Sequence, residues 1–190
     1  MTKRASAAAQ TRRRIIDATR ELHTEQGIAA TSFDAIAARA GVGVGTVYRH
    51  FRSPDELVPA CGEVAMDIVA LPDPEAVPAL FEGLLTPGER LKRLVGETFA
   101  MYERGSRDLH VVRREPDAHP SVAAARDAFE ASLSALVDSA LAPLEADAQD
   151  RAVARAMIDL DTWEAFRTAG LDGESAVRAV SEMLATRLEL

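Results

Sequence analysis

The chain has 190 residues, 47% of them hydrophobic, enough to bury a real core as one large domain or two small ones sharing an interface, so disorder is not the default reading. A net charge of −8 argues against a protein that coats nucleic acid or an anionic membrane by bulk attraction. That average hides an asymmetry: residues 1–52 hold nine Lys/Arg against four Asp/Glu, a net of +5, and residues 53–190 carry a net of −13. The single cysteine, Cys61, excludes an internal disulfide. The first residues, MTKRASAAAQTRRR, lack the uninterrupted apolar segment of a signal peptide. No stretch approaches the roughly 18 apolar residues of a membrane span. An intracellular, cytoplasmic protein with no membrane partner is the expectation.

In chain order, Ile15, Ala18 and Leu22 recur with helical spacing from a possible N-cap at Thr11 to a terminating Gly27, predicting a helix over about 11–26. Ser32 caps a second, two-turn helix carrying Phe33, Ile36, Ala37 and Ala40, which stops at Gly41. Gly43 precedes a third, from Val44 to His50. Ser53-Pro54-Asp55-Glu56 opens a fourth that runs to about Leu71, with a bend expected at Pro59. LPDPEAVP (71–78) reads as a connection. Amphipathic segments follow at about 87–104, 121–142, 148–169 and 174–188, with room for one more short helix in 106–120. Nothing alternates as a strand does, so the chain is expected to be all-α.

The stretch GVGVGTVYRHF (41–51) sets glycines among basic and aromatic residues. Its spacing does not fit the phosphate-binding pattern G-x-G-x-x-G, and it follows a predicted helix rather than a strand. Two short helices across a tight glycine turn are instead a helix-turn-helix, whose second helix presents its N-terminal residues to the major groove of DNA. Val47 and Phe51, four apart, form its inward face. Val44, Thr46, Tyr48, Arg49 and His50 remain for contact, and Gly45 allows close approach of the backbone.

Gly27, Thr31-Ser32, Ile36-Ala37, Ala40-Gly41-Val42, Gly45-Thr46-Val47-Tyr48, His50-Phe51 and Ser53, in this order and spacing, resemble the tetracycline-repressor (TetR) family of bacterial regulators, over about Ile15 to Leu57. The resemblance implies a homodimeric, all-α repressor. Its helix-turn-helix domain would be residues 1–52, and residues 53–190 would form a helical bundle for dimerisation and a small-molecule inducer. Three positions depart from the family: Gly43 stands where serine is frequent, His23 where phenylalanine is common, and Pro54 where a phosphate-contacting lysine often lies. Arg49 or Arg52 is left to replace that last contact.

The resemblance assigns DNA contact to Thr46, Tyr48 and His50. Arg49 reaches either a guanine edge or a phosphate. Arg12, Arg13 and Arg14 are expected at the DNA backbone or minor groove, against the alternative of a solvated arm, and Ser32 both caps its helix and meets a phosphate. The resemblance also places the inducer among the central helices, where Phe99, Met101, Tyr102, Phe129, Met157, Trp163 and Phe166 either line a cavity or pack as core. Leu160, Val177, Val180, Leu184 and Leu188 form apolar seams suited to a dimer interface. His110, Asp117 and His119 lack zinc-ligand spacing, and Cys61 has no basic neighbour in sequence. No metal, cofactor or enzymatic activity is therefore expected. The partners are operator DNA, a small-molecule inducer and a second copy of the chain. A helical-bundle enzyme and a ligand-independent regulator are the alternatives.

Overall fold

Alanine is the strongest helix former, and Ala5, Ala7, Ala8 and Ala9 carry the first helix well upstream of Thr11. In the computed structural model, which describes residues 3–190, α1 spans Lys3–Gln26. Thr11 is interior to it, and its hydroxyl donates back to the Ala7 carbonyl at 3.0 Å instead of capping. α2 (Phe33–Ala40) and α3 (Val44–His50) follow as expected. Ser32 has extended backbone and its Oγ accepts the Ala35 N–H at 3.2 Å, while Gly41 closes α2 in the left-handed region at φ 64°.

α4 spans Pro54–Val69 with Pro59 inside it. It stops two residues before Leu71, because Ala70 turns to φ 50° and Arg104 donates to the Val69 carbonyl at 2.9 and 3.1 Å. The proline-rich connection contains a short 3-10 helix, Val77–Phe81.

Residues 106–114 form no separate helix: α5 runs Pro87–Arg114, interrupted only where Gly105 leaves helical dihedrals (φ −144°, ψ 23°). A Cβ at Gly105 would lie 2.4 Å from Val69 Cγ2, so only glycine admits this approach. α6 is Pro120–Leu141. The segment expected as one helix over 148–169 is two, α7 (Ala148–Met157) and α8 (Leu160–Thr168). Two groups break it: the Tyr102 hydroxyl donates to the Ile158 carbonyl at 2.8 Å, and Asp159 in extended backbone caps α8 through the Asp161 N–H. α9 is Gly173–Arg187. All regular elements among the described residues are helical, and none is long and apolar enough to cross a membrane.

The chain forms two compact units, and they do not divide at residue 52. The first takes in the chain to Ile68 and also Arg107–Asp127; the second comprises Val69–Ser106 and Ala128–Leu190. Ile15, Ile36, Val47, Phe51 and Leu57, all nearly or fully buried, centre the first. Leu91, Leu94, Phe99, Tyr102, Phe129, Leu133, Ile158 and Leu160 are buried in the second. What the linear boundary missed is a polar clamp within the first unit. Asp108 accepts Arg20 Nη2 at 2.7 Å, Arg114 donates to the His23 carbonyl at 3.1 Å, and the Glu115 carboxylate accepts the N–H groups of Ile28 and Ala29 at 3.0 and 3.2 Å. Gly27 allows this with φ 91°, since a Cβ there would sit 2.1 Å from Glu115 Oε1.

Glu115 thus satisfies the turn after α1 from a residue 87 positions away. Glu115→Ala is expected to cost the fold about 1.5 kcal/mol, the low end for hydrogen bonds to a charged group, because water reaches exposed Ala29. Thermal unfolding of the variant against the parent measures it; an unchanged midpoint would mean that water serves those amides equally well.

Candidate nucleic-acid interface

α3 is only seven residues long, too short to hold itself together, so its position is set by packing. Val47 (0% exposed) and Phe51 (1%) anchor it. That leaves Tyr48, 54% exposed, and Val44, 38% exposed, on its accessible side, with Thr46 and His50 half-buried. The Tyr48 ring lies 4.9 Å from that of Phe33 on α2, tilted by 54°, which braces it without covering it. Arg49 folds along the helix: Nε donates to the Gly45 carbonyl at 3.1 Å and Nη2 to Thr46 Oγ1 at 3.0 Å. A Cβ at Gly45 would meet no protein atom within 4 Å, so nothing in the chain itself requires glycine there.

The arginine run on α1 is exposed, and each member already has a partner. The Arg12 guanidinium stands 4.4 Å above the Phe51 ring, a cation–π contact with the residue that ends α3. Arg13 pairs with Asp17 at 3.1 Å across one exposed turn. Arg14 Nη2 donates to the carbonyls of Ala40 and Gly41, satisfying the end of α2. Arg12 and Arg14 therefore fix the helix-turn-helix, a role that the reading of the run as phosphate contacts did not contain. The signal for it, one apolar residue 39 positions downstream and a helix end, is tertiary. Exposed Ser32 keeps its cap. At the start of α4, Pro54 supplies no cation, and the Glu56 carboxylate accepts the Arg52 N–H at 2.8 Å.

In the second unit the structure brings four of the proposed ligand residues together. The Tyr102 ring lies 6.3 Å from Phe99, 6.3 Å from Phe129 and 5.8 Å from Trp163. Phe99, Met101, Tyr102, Phe129 and Trp163 are all buried, whereas Met157 and Phe166 are half-exposed. The Trp163 indole N–H is buried with no hydrogen-bond partner among the described residues. The seam read as a dimer interface is largely internal: Leu160, Val180 and Leu184 are at most 1% exposed within the chain itself, leaving only Val177 and Leu188 half-exposed. A side chain that its own core already covers has no surface to offer a partner.

Burial also decides two titratable groups in the first unit. It lowers the pKa of His23 to about 4, over the opposing pull of Glu115 and Asp108, and pushes the Cys61 thiol up to about 12. Cys61 is thus held as a thiol against reaction. His119 Nδ1 engages Ser121 Oγ at 2.8 Å, and its Nε2 lies 3.5 Å from Asp55.

Two short helices across the Gly41 turn, the second anchored by two buried residues and exposing an aromatic, are a helix-turn-helix. Residues 15–61 match the family of bacterial regulatory proteins, tetR family. The HTH-type transcriptional repressor KstR of Mycobacterium tuberculosis is 31% identical over 180 residues, 94% of this chain and 79% of that protein. The HTH-type transcriptional regulator SrpR of Pseudomonas putida is 45% identical over 58 residues, 30% of this chain and 27% of the regulator. A TetR-like transcriptional regulator from Rhodococcus sp. RHA1 shares the fold, with a TM-score of 0.64 and 21% identity over 94% of this chain and 96% of that one. The chain belongs to the TetR family. It is a DNA-binding transcriptional regulator, in a family of regulators and not of enzymes.

Proposed function

We propose that the chain is a one-component repressor that binds a roughly palindromic operator as a homodimer and leaves it when a small molecule occupies the second unit. The exposed Tyr48 on a helix anchored by Val47 and Phe51 carries the DNA half of this reading. Val44, Gly45, Thr46, Arg49 and His50 share that helix, and Arg12, Arg13, Arg14 and Ser32 supply the flanking phosphate contacts. Arg49 lies along its own helix in the free chain and exchanges Thr46 for a base edge or phosphate when DNA arrives. Openness at Gly45 supports the same reading, because a glycine with free space around it favours close approach by something outside the chain.

Two copies must set their recognition helices about 34–36 Å apart to read successive major grooves. A ligand that favours a different separation weakens binding by its differential affinity for the two forms. The aromatic cluster around Tyr102, with the unpaired Trp163 N–H as a donor, supports a ligand site there. Met183, 50% exposed, with half-exposed Phe166 and Val177 and, just past α9, Leu188, are large apolar side chains still available to a partner subunit.

The test is retention of a DNA fragment from upstream of the chain's own gene. Affinity is expected to fall steeply with salt despite the net charge of −8, as phosphate-bound counterions are released to a locally basic surface. Tyr48→Ala is expected to lower operator affinity by about 1–3 kcal/mol, the scale of a lost base contact, with the unfolding midpoint little changed. An operator held equally well by a folded Tyr48→Ala protein would remove α3 from the interface.

A further inference from the structure

A half-enclosed cavity of about 50 Å³ lies wholly inside the first unit. Most of its wall is apolar: Val58 and Ala65 of α4, Val111 and Val112 of α5, and Val122 of α6. Of its polar lining, Arg20 and Asp108 neutralise each other at 2.7 Å. His23 is the exception. It is 7% exposed, and its ring makes no hydrogen bond among the described residues, although its backbone carbonyl takes donors from Gly27 and Arg114. A neutral imidazole offers one donor and one acceptor, and neither ring nitrogen of His23 is sealed from solvent, so both are open to an occupant of the cavity. The space beside it is real: Gly62 also lines the cavity, and a Cβ there would meet no atom within 4 Å.

We propose that this cavity is a binding site for a neutral molecule of a few carbons bearing one hydroxyl or carbonyl oxygen, with its carbons against the valines and its oxygen hydrogen-bonded to the His23 ring. The volume sets the size: at about a third of the roughly 150 Å³ apolar cavity that holds benzene, the closed part takes about two non-hydrogen atoms, and the rest of a three-carbon molecule lies in the open side. The paired Arg20 and Asp108 set the charge, since an ion entering here would find no uncompensated partner. The site's coupling to the operator rests on the DNA-binding reading above. α1 carries Arg20 and His23 at the cavity and Arg12 and Arg14 at the helix-turn-helix, so an occupant that shifts α1 shifts the grip on Phe51 and on the end of α2.

The probe is 1-propanol, followed through the methyl resonances of Val58, Val111, Val112 and Val122. Saturable shifts with half-saturation in the millimolar range are expected for the full chain, with propionate binding at least tenfold more weakly. His23→Leu, which removes the hydrogen bond, is expected to weaken 1-propanol at least fivefold. Gly62→Leu, which fills the cavity and leaves His23 in place, is expected to abolish it. Non-saturating shifts, propionate binding as well as 1-propanol, or unchanged binding by a folded Gly62→Leu protein would each overturn the site. Saturating 1-propanol is also expected to loosen the operator complex of the parent and not of Gly62→Leu. A protein that retains no operator even without 1-propanol fails the DNA-binding reading, and the methyl titration still decides the site. An operator complex indifferent to a bound probe overturns the coupling.

Discussion

Leu184→Glu is expected to unfold the second unit, not merely to separate subunits. α9 buries Ala176, Val180 and Leu184, spaced by four, and Leu184 is 1% exposed. The substitution removes a core side chain, which alone costs about 2–5 kcal/mol, and sets an unpaired carboxylate in its place. A loss above about 4 kcal/mol is a large share of the 5–15 kcal/mol that holds a typical domain. Trp163 is the only tryptophan of the chain and is buried in the same unit, so its fluorescence reports this unfolding directly. Ala152→Glu, at an exposed position of α7 in the same unit, is the control and should leave the midpoint nearly unchanged. A Leu184→Glu protein that keeps native Trp163 fluorescence and sediments as a folded monomer would return Leu184 to the subunit interface.

The same residue shows why part of the molecule was legible in the sequence and part was not. An apolar stripe at helical spacing says that a face is covered; it does not say by what. Val180 and Leu184, expected in a dimer seam, are covered by the core of their own chain. The local signals were readable: Ser32 capping α2, Gly41 ending it, and Val47 and Phe51 facing inward four apart all stand where spacing put them. The single helix expected over 148–169 failed at Ile158 because its carbonyl is taken by a tyrosine hydroxyl 56 residues away. The grip of Arg14 on the end of α2 and of Glu115 on the turn after α1 are likewise long-range hydrogen bonds, and no local pattern encodes them. For the candidate interface, the residues on α3 were visible from sequence, whereas what holds α3 in place was half hidden.

His23 is the strongest case of a site that composition could not reveal, and it gives the chain a pH-dependent stability. Its side chain is only 7% exposed, and this loss of hydration disfavours the imidazolium. Glu115 and Asp108 pull the other way, but Arg114 lies 3.4 Å from Glu115 and Arg20 lies 2.7 Å from Asp108, so much of each negative charge is spoken for. Desolvation wins, and the folded pKa falls from 6.5 to about 4. Between those two values the unfolded chain holds more protons than the folded one, so the contribution of His23 is fully present above pH 6.5 and is lost as the pH falls toward 4. The whole shift corresponds to about 3 kcal/mol, with about 2 kcal/mol of it gone by pH 5. His23→Phe removes this titration and keeps the site filled. Denaturant unfolding of both proteins from pH 7 to pH 4.5 isolates the effect from the carboxylates, which titrate in both. The parent is expected to lose about 2 kcal/mol more than His23→Phe over that range, and parallel pH profiles would mean that water or a protein donor reaches the ring and keeps it near its ordinary pKa.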